Sequence, residues 1–132
     1  ILGTWCPNCL DETQFFLSYI EKNPNQDLAF VGLSVESAKT EERAMKRINN
    51  MIDKFEIPYP ILLAQYGSTD KEKFLKKIPM LENIISYPTT IIIDKSGKVN
   101  SIHTGFNGPA TGQAFLDFKK DFKSEIEGLL EL

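Results

Sequence analysis

Apolar positions along this chain change period several times, and each change marks an element. Leu10, Phe16, Leu17 and Ile20 recur at helical spacing. Pro7 stands ahead of them, where its missing N–H costs nothing in a first turn, and Asn23-Pro24-Asn25 closes the segment. Residues 28–35 are apolar and uncharged, as a strand buried on both faces is. The next stretch, Glu41–Phe55, puts Ala44, Met45, Ile48, Met51, Ile52 and Phe55 on one side of a helix. Pro58 and Pro60 interrupt that period, and Ile61-Leu62-Leu63 reads as a short strand. Tyr66-Gly67-Ser68 turns the chain, Ser68 or Thr69 can cap, and residues 70–77 and 80–85 form two short helical stretches. Residues 89–94 and 99–104 are antiparallel strands around the turn Lys95-Ser96-Gly97-Lys98. A loop with three glycines and Pro109 follows, and Phe115, Phe118, Phe122, Ile126 and Leu129 stripe a last helix as core packing.

The order is β-α-β-α-β-α-β-β-α, because Ile1-Leu2-Gly3-Thr4 reads as the end of a buried strand. Parallel crossovers followed by a terminal hairpin predict an α/β fold with a mixed central sheet and helices on both faces. At 132 residues the chain is a single domain with room for a core. Its opening within a strand is the pattern expected of the C-terminal part of a longer protein. A net charge of −3 advertises no basic face for nucleic acid. The cluster Lys71, Lys73, Lys76 and Lys77 is interleaved with Asp70 and Glu72, the pattern of a solvated helix face. No apolar run approaches the ~20 residues of a membrane-spanning helix.

Both cysteines fall in Trp5-Cys6-Pro7-Asn8-Cys9. A bridge across so short a loop removes little chain entropy, so it is a poor staple and a good redox device. Cys6 at a helix N-terminus meets free N–H groups and the positive dipole end, which favour the thiolate; it is the expected exposed nucleophile. Cys9, one turn inside, is the expected buried resolving thiol. Trp5 is expected to pack over the pair. Half a structural zinc site is the rival reading, but two thiols and the single imidazole of His103 do not complete four ligands. Glu12, three residues beyond Cys9 on the same helical face, could take the proton of Cys9 if burial raises its pKa; it could equally be a surface acid. Tyr87-Pro88 directly before a strand is a candidate special turn.

With these pieces together the chain resembles the thioredoxin superfamily, and within it the TlpA-like thiol-disulfide oxidoreductases of the bacterial cell envelope. The resemblance rests on Trp5 to Cys9, Glu12, Tyr87-Pro88-Thr89-Thr90, the run from Ile93 to Lys98, and His103-Thr104-Gly105. It implies a thioredoxin-like three-layer α/β/α sandwich with its first strand truncated. It further implies a cis Pro88 facing the sulfurs and a Tyr87 backbone that pairs with an extended substrate, flanked by Trp5 and Pro7. Glu12 falls where the family carries an acid beside the buried cysteine. Gln14 stands where the family has a proline, which leaves the shape of the first helix open.

The expected activity is reduction of envelope-protein disulfides on the periplasmic side. It needs no metal or organic cofactor beyond the Cys6–Cys9 disulfide, but requires an electron-donor partner. Two alternatives stand beside it. One is a copper carrier using Cys6, Cys9 and His103, although such thioredoxin-fold proteins space their cysteines three apart. The other is a peroxidase, which lacks a cysteine outside the pair.

Overall fold

The computed structural model describes residues 1–79, 81 and 86–132. Helix α1 spans Pro7–Lys22 and is followed by strand β1 (Gly32–Val35), helix α2 (Glu41–Phe55) and strand β2 (Ile61–Gln65). The short helix α3 (Lys71–Leu75) precedes the hairpin of β3 (Thr89–Ile93) and β4 (Val99–Thr104). A single 3-10 turn at Pro109–Thr111 leads into α4 (Gln113–Leu130). The helix expected over residues 80–85 lies outside the described residues, apart from Leu81.

β1 and β2 pair in parallel, and β3 and β4 pair antiparallel. Ile1 and Leu2 join these two ladders. The Ile1 backbone nitrogen donates to Thr89 O at 2.8 Å and Thr89 N–H donates to Ile1 O at 3.0 Å. On the other side Leu2 N–H donates to Leu33 O at 2.9 Å and Val35 N–H donates to Leu2 O at 2.8 Å. Two residues thus hold the centre of a mixed sheet.

Alternation along the strands sorts the core into layers. Leu2, Ile61 and Leu63 pack with Ile48 and Met51 of α2 and with Cys9 and Leu17 of α1. Ile92 packs with Tyr19 of α1 and with Phe122 and Ile126 of α4. Ile1, Val35 and Ala64 turn the other way, against Phe74 and Leu75 of α3. Helices therefore cover both faces, with α1, α2 and α4 on one and α3 on the other.

Three expectations are corrected in detail. The strand foreseen over residues 28–35 begins only at Gly32, whose N–H donates to Pro60 O at 2.9 Å. Pro58 and Pro60 have no N–H to carry the ladder further back. The face of α1 buried most deeply carries Cys9, Glu12, Thr13 and Tyr19 rather than Leu10, Phe16, Leu17 and Ile20. Helix α3 is capped by Asp70, whose carboxylate accepts Glu72 N–H at 3.0 Å, and not by Ser68 or Thr69. Gln14 leaves α1 continuous over 16 residues. Among the described residues no helix is long and apolar enough to cross a membrane.

Candidate active site

Helix α1 delivers both sulfurs. Cys6 is its N-cap, in extended backbone geometry, and Pro7 opens the first turn. The Cys9 N–H, one of the donors a helix start leaves unpaired, points at Cys6 Sγ from 3.2 Å. Cys6 Sγ and Cys9 Sγ lie 2.6 Å apart, close enough to bond as a disulfide.

Cys6 is not the openly exposed thiol that its place at the helix mouth suggested. It is 6% exposed, against 1% for Cys9. It joins Leu2, Ile48, Met51, Ile57 and Ile61 in one apolar cluster, with Tyr87 packed alongside. The order of access still holds, with Cys6 the outer sulfur. Burial, and then the hydrogen bond to Cys6, push the Cys9 thiol far above its ordinary range.

The Tyr87–Pro88 peptide bond is cis. Cys6 Sγ lies 3.8 Å from Tyr87 O, which places this corner against the outer sulfur. Pro88 is fully buried, and the Tyr87 hydroxyl donates to Thr69 O at 3.2 Å. Trp5 sits at the rim with its ring edge-on to Tyr87, centroids 5.6 Å apart. Its indole N–H donates to Val35 O at 2.8 Å, and it lies across Gly3. A Cβ at Gly3 would meet the indole Nε1 at 2.3 Å, so only glycine lets the ring lie there. Trp5 and Pro7 are exposed, so the rim offers apolar surface beside Cys6.

Glu12 is buried, 5% exposed, behind Cys9. Its Oε1 accepts from Thr90 Oγ1 at 2.9 Å, while Oε2 has no hydrogen-bond partner among the described residues. Burial raises its pKa to about 7, and the Thr90 hydrogen bond and His103 offset only part of that rise. Cys9, Glu12 and Thr90 share the wall of a cavity of about 320 Å³.

His103 takes no place in this group. Its Nε2 is 3.1 Å from Glu125 Oε1 and 3.1 Å from Ser101 Oγ, tying β4 to α4. Among the described residues no three His, Cys, Asp or Glu side chains gather as a metal site. The copper-carrier reading thereby loses its third ligand.

Sequence reasoning named Thr90 only as part of the Tyr87-Pro88-Thr89-Thr90 motif, without a role, and overlooked Glu36. The first approaches Glu12 from a strand 78 positions away. The second is a fully buried acid at the end of β1 that grips the loop before Cys6. Its one sequence signal is a charge closing an otherwise apolar strand.

Comparison with known proteins gives a consistent pattern. The family model described as Redoxin matches residues 1–116. The thioredoxin-like protein YneN of Bacillus subtilis (strain 168) is 30% identical over 103 residues, covering 78% of this chain and 52% of that protein. Sporulation thiol-disulfide oxidoreductase A of the same organism is 20% identical over 118 residues, covering 89% of this chain and 62% of the relative. The chain thus spans less than two thirds of the curated relatives it matches. The crystal structure of StoA from Bacillus subtilis superposes with a TM-score of 0.55 at 19% identity, over 86% of this chain and 76% of that one. A Chlorobium tepidum structure, provisionally named thiol:disulfide interchange protein DsbE, gives 0.61 at 20% identity over 98% and 75%. These superpositions establish the thioredoxin-like α/β fold.

Proposed function

Because the chain belongs to the Redoxin family, we propose that it is a thiol-disulfide oxidoreductase working by dithiol exchange through Cys6 and Cys9. One observation carries the reading: the outer sulfur caps a helix and accepts a backbone N–H, with a second thiol 2.6 Å behind it. An N–H donor aimed at sulfur stabilises the charge which that sulfur bears when it attacks.

In the cycle, the Cys6 thiolate attacks one sulfur of a substrate disulfide. The Cys6–substrate bond forms, the substrate disulfide breaks, and the first substrate thiolate leaves to take up a proton. Cys9 then gives its proton to Glu12 and attacks Cys6 Sγ. The Cys6–Cys9 bond forms as the mixed disulfide breaks, and the second substrate thiolate departs and takes up the proton that Glu12 releases. The substrate gains two electrons and two protons; the protein loses them. A dithiol partner restores them by the reverse exchange, so two sulfurs carry the electrons with no metal or organic cofactor.

Glu12 suits the proton step because a carboxyl with pKa about 7 is half in its basic form at neutral pH. It sits one turn from Cys9 on the same face of α1. Trp5, Pro7 and Tyr87 frame the approach to Cys6, and the Tyr87 backbone receives an extended substrate segment. The substrates are disulfide-bearing proteins of the cell envelope, met on its periplasmic side, since disulfides persist in such compartments. The direction is reductive.

The test mixes the reduced protein with an oxidised secreted protein and counts the thiols released, alongside Cys6→Ser. Release of two thiols per Cys6–Cys9 pair consumed, lost in the variant, supports the reading. Release that does not depend on Cys6 overturns it.

A further inference from the structure

A second buried acid stands on the opposite side of the motif from Glu12. Glu36, at the end of β1, is wholly removed from solvent. Its Oε2 accepts Thr4 N–H at 2.9 Å, its Oε1 accepts the Thr4 hydroxyl, and the Ser34 hydroxyl also donates to Oε2. One residue earlier on the same strand, Val35 O accepts the Trp5 indole N–H at 2.8 Å. The Glu36 N–H is itself fixed, donating to Gln65 O of β2 at 2.8 Å.

Burying a carboxylate is costly unless donors surround it, and here three do. Two of the three belong to Thr4. The dipeptide Val35-Glu36 therefore clamps the dipeptide Thr4-Trp5, the two residues directly before Cys6. The Cys6 N–H closes back on Gly3 O at 3.1 Å, so the clamped loop determines where the sulfur sits.

We propose that Glu36 is a positioning residue: through its paired hydrogen bonds to Thr4 it holds the Thr4-Trp5-Cys6 loop so that Cys6 Sγ faces an incoming disulfide. The proposal rests on the reading of Cys6 as the attacking sulfur. An ordinary buried polar group would stabilise the fold as a whole, whereas this one grips the reactive loop at both its backbone and its side chain. A glutamine at position 36 keeps the shape but not the charge: it trades charge-assisted hydrogen bonds for neutral ones about half as strong, and its NH₂ reverses the bond to the Thr4 hydroxyl.

The experiment follows two readouts, neither using a protein substrate. Amide hydrogen exchange compares residues 3–6 with α2 as an internal reference. The second readout is the rate at which Cys6 attacks the aromatic disulfide dithiobis(nitrobenzoate), in a Cys9→Ser background. Glu36→Gln is expected to speed exchange at Thr4 and Trp5 about tenfold more than in α2, and to slow the Cys6 reaction by about tenfold, as a displaced reacting group does. Thr4→Ser keeps both donors and stays within about twofold of the parent. Should Glu36→Gln fail to fold, Thr4→Val removes the hydroxyl alone and is expected to move both readouts in the same direction by a smaller factor. Exchange in the loop that rises only in step with α2, or a Cys6 rate that does not change, overturns the proposal. A parent protein that never reduces protein disulfides would instead sink the functional reading and leave these ratios standing.

Discussion

Thr90 Oγ1 donates to Glu12 Oε1 at 2.9 Å, reaching from β3 to α1, while Glu12 Oε2 has no partner among the described residues. That hydrogen bond favours the carboxylate and works against burial, which raises the pKa to about 7. Resolution of the mixed disulfide should therefore accelerate as pH passes through about 7. Glu12→Gln is predicted to lose that limb, and Thr90→Val, nearly the same shape without the hydroxyl, to move it to higher pH. Stopped-flow resolution of a preformed Cys6 mixed disulfide across pH reads both. An unchanged limb in Glu12→Gln would make the carboxylate a bystander.

The same group makes stability depend on pH. Glu12 has a folded pKa raised from 4.5 to about 7, so its contribution is fully present below the lower value and is lost as pH climbs through the higher. At ~1.4 kcal/mol per pH unit that interval corresponds to on the order of 3 kcal/mol. Glu12→Gln should thus gain on the parent between pH 5 and 8. Urea unfolding at the two pH values checks it, and parallel curves would contradict the placement of this carboxyl in the core.

Gly3 and Trp5 give a prediction about the rim. Gly3→Ala would drive a methyl into the indole, breaking the Trp5–Val35 hydrogen bond. The expected cost is about 1–3 kcal/mol, with a red shift of emission from the only tryptophan. Unaltered emission in Gly3→Ala would contradict the packing of the ring on this residue.

Much of this was legible in the order of residues. The bounds of α2 follow from its apolar spacing, and Thr40 caps it by accepting Arg43 N–H at 3.2 Å. Cys6, Cys9 and Glu12 were found because each lies one turn from the next on a single helix, where spacing alone sets the geometry. What failed depended on partners distant in the chain. The burial of Cys6 comes from α2 and the Tyr87 corner, and the late start of β1 from Pro58 and Pro60 just ahead of the neighbouring strand β2. Thr90 and Glu36 act across the sheet, and no local period announces such contacts.

His103 and Glu125 supply a control away from the sulfurs. Burial pushes the Glu125 carboxyl up, but hydrogen bonds from Ser101, His103 and Asn100 outweigh it and hold the pKa below the ordinary value. Stability from this group is present above the unfolded pKa and disappears as pH falls through the folded one. Glu125→Gln should cost about 1 kcal/mol or less at neutral pH and nothing in strong acid, with disulfide exchange intact. Loss of exchange in a folded Glu125→Gln protein would place this cluster inside the mechanism.

Trapping distinguishes the two thiols most directly. With a protein substrate carrying one disulfide, Cys9→Ser should accumulate a covalent one-to-one complex through Cys6, reversed by dithiothreitol, while Cys6→Ser should form none. A complex that forms as readily in Cys6→Ser, or none in either variant, would contradict an outer attacking sulfur resolved from behind by Cys9.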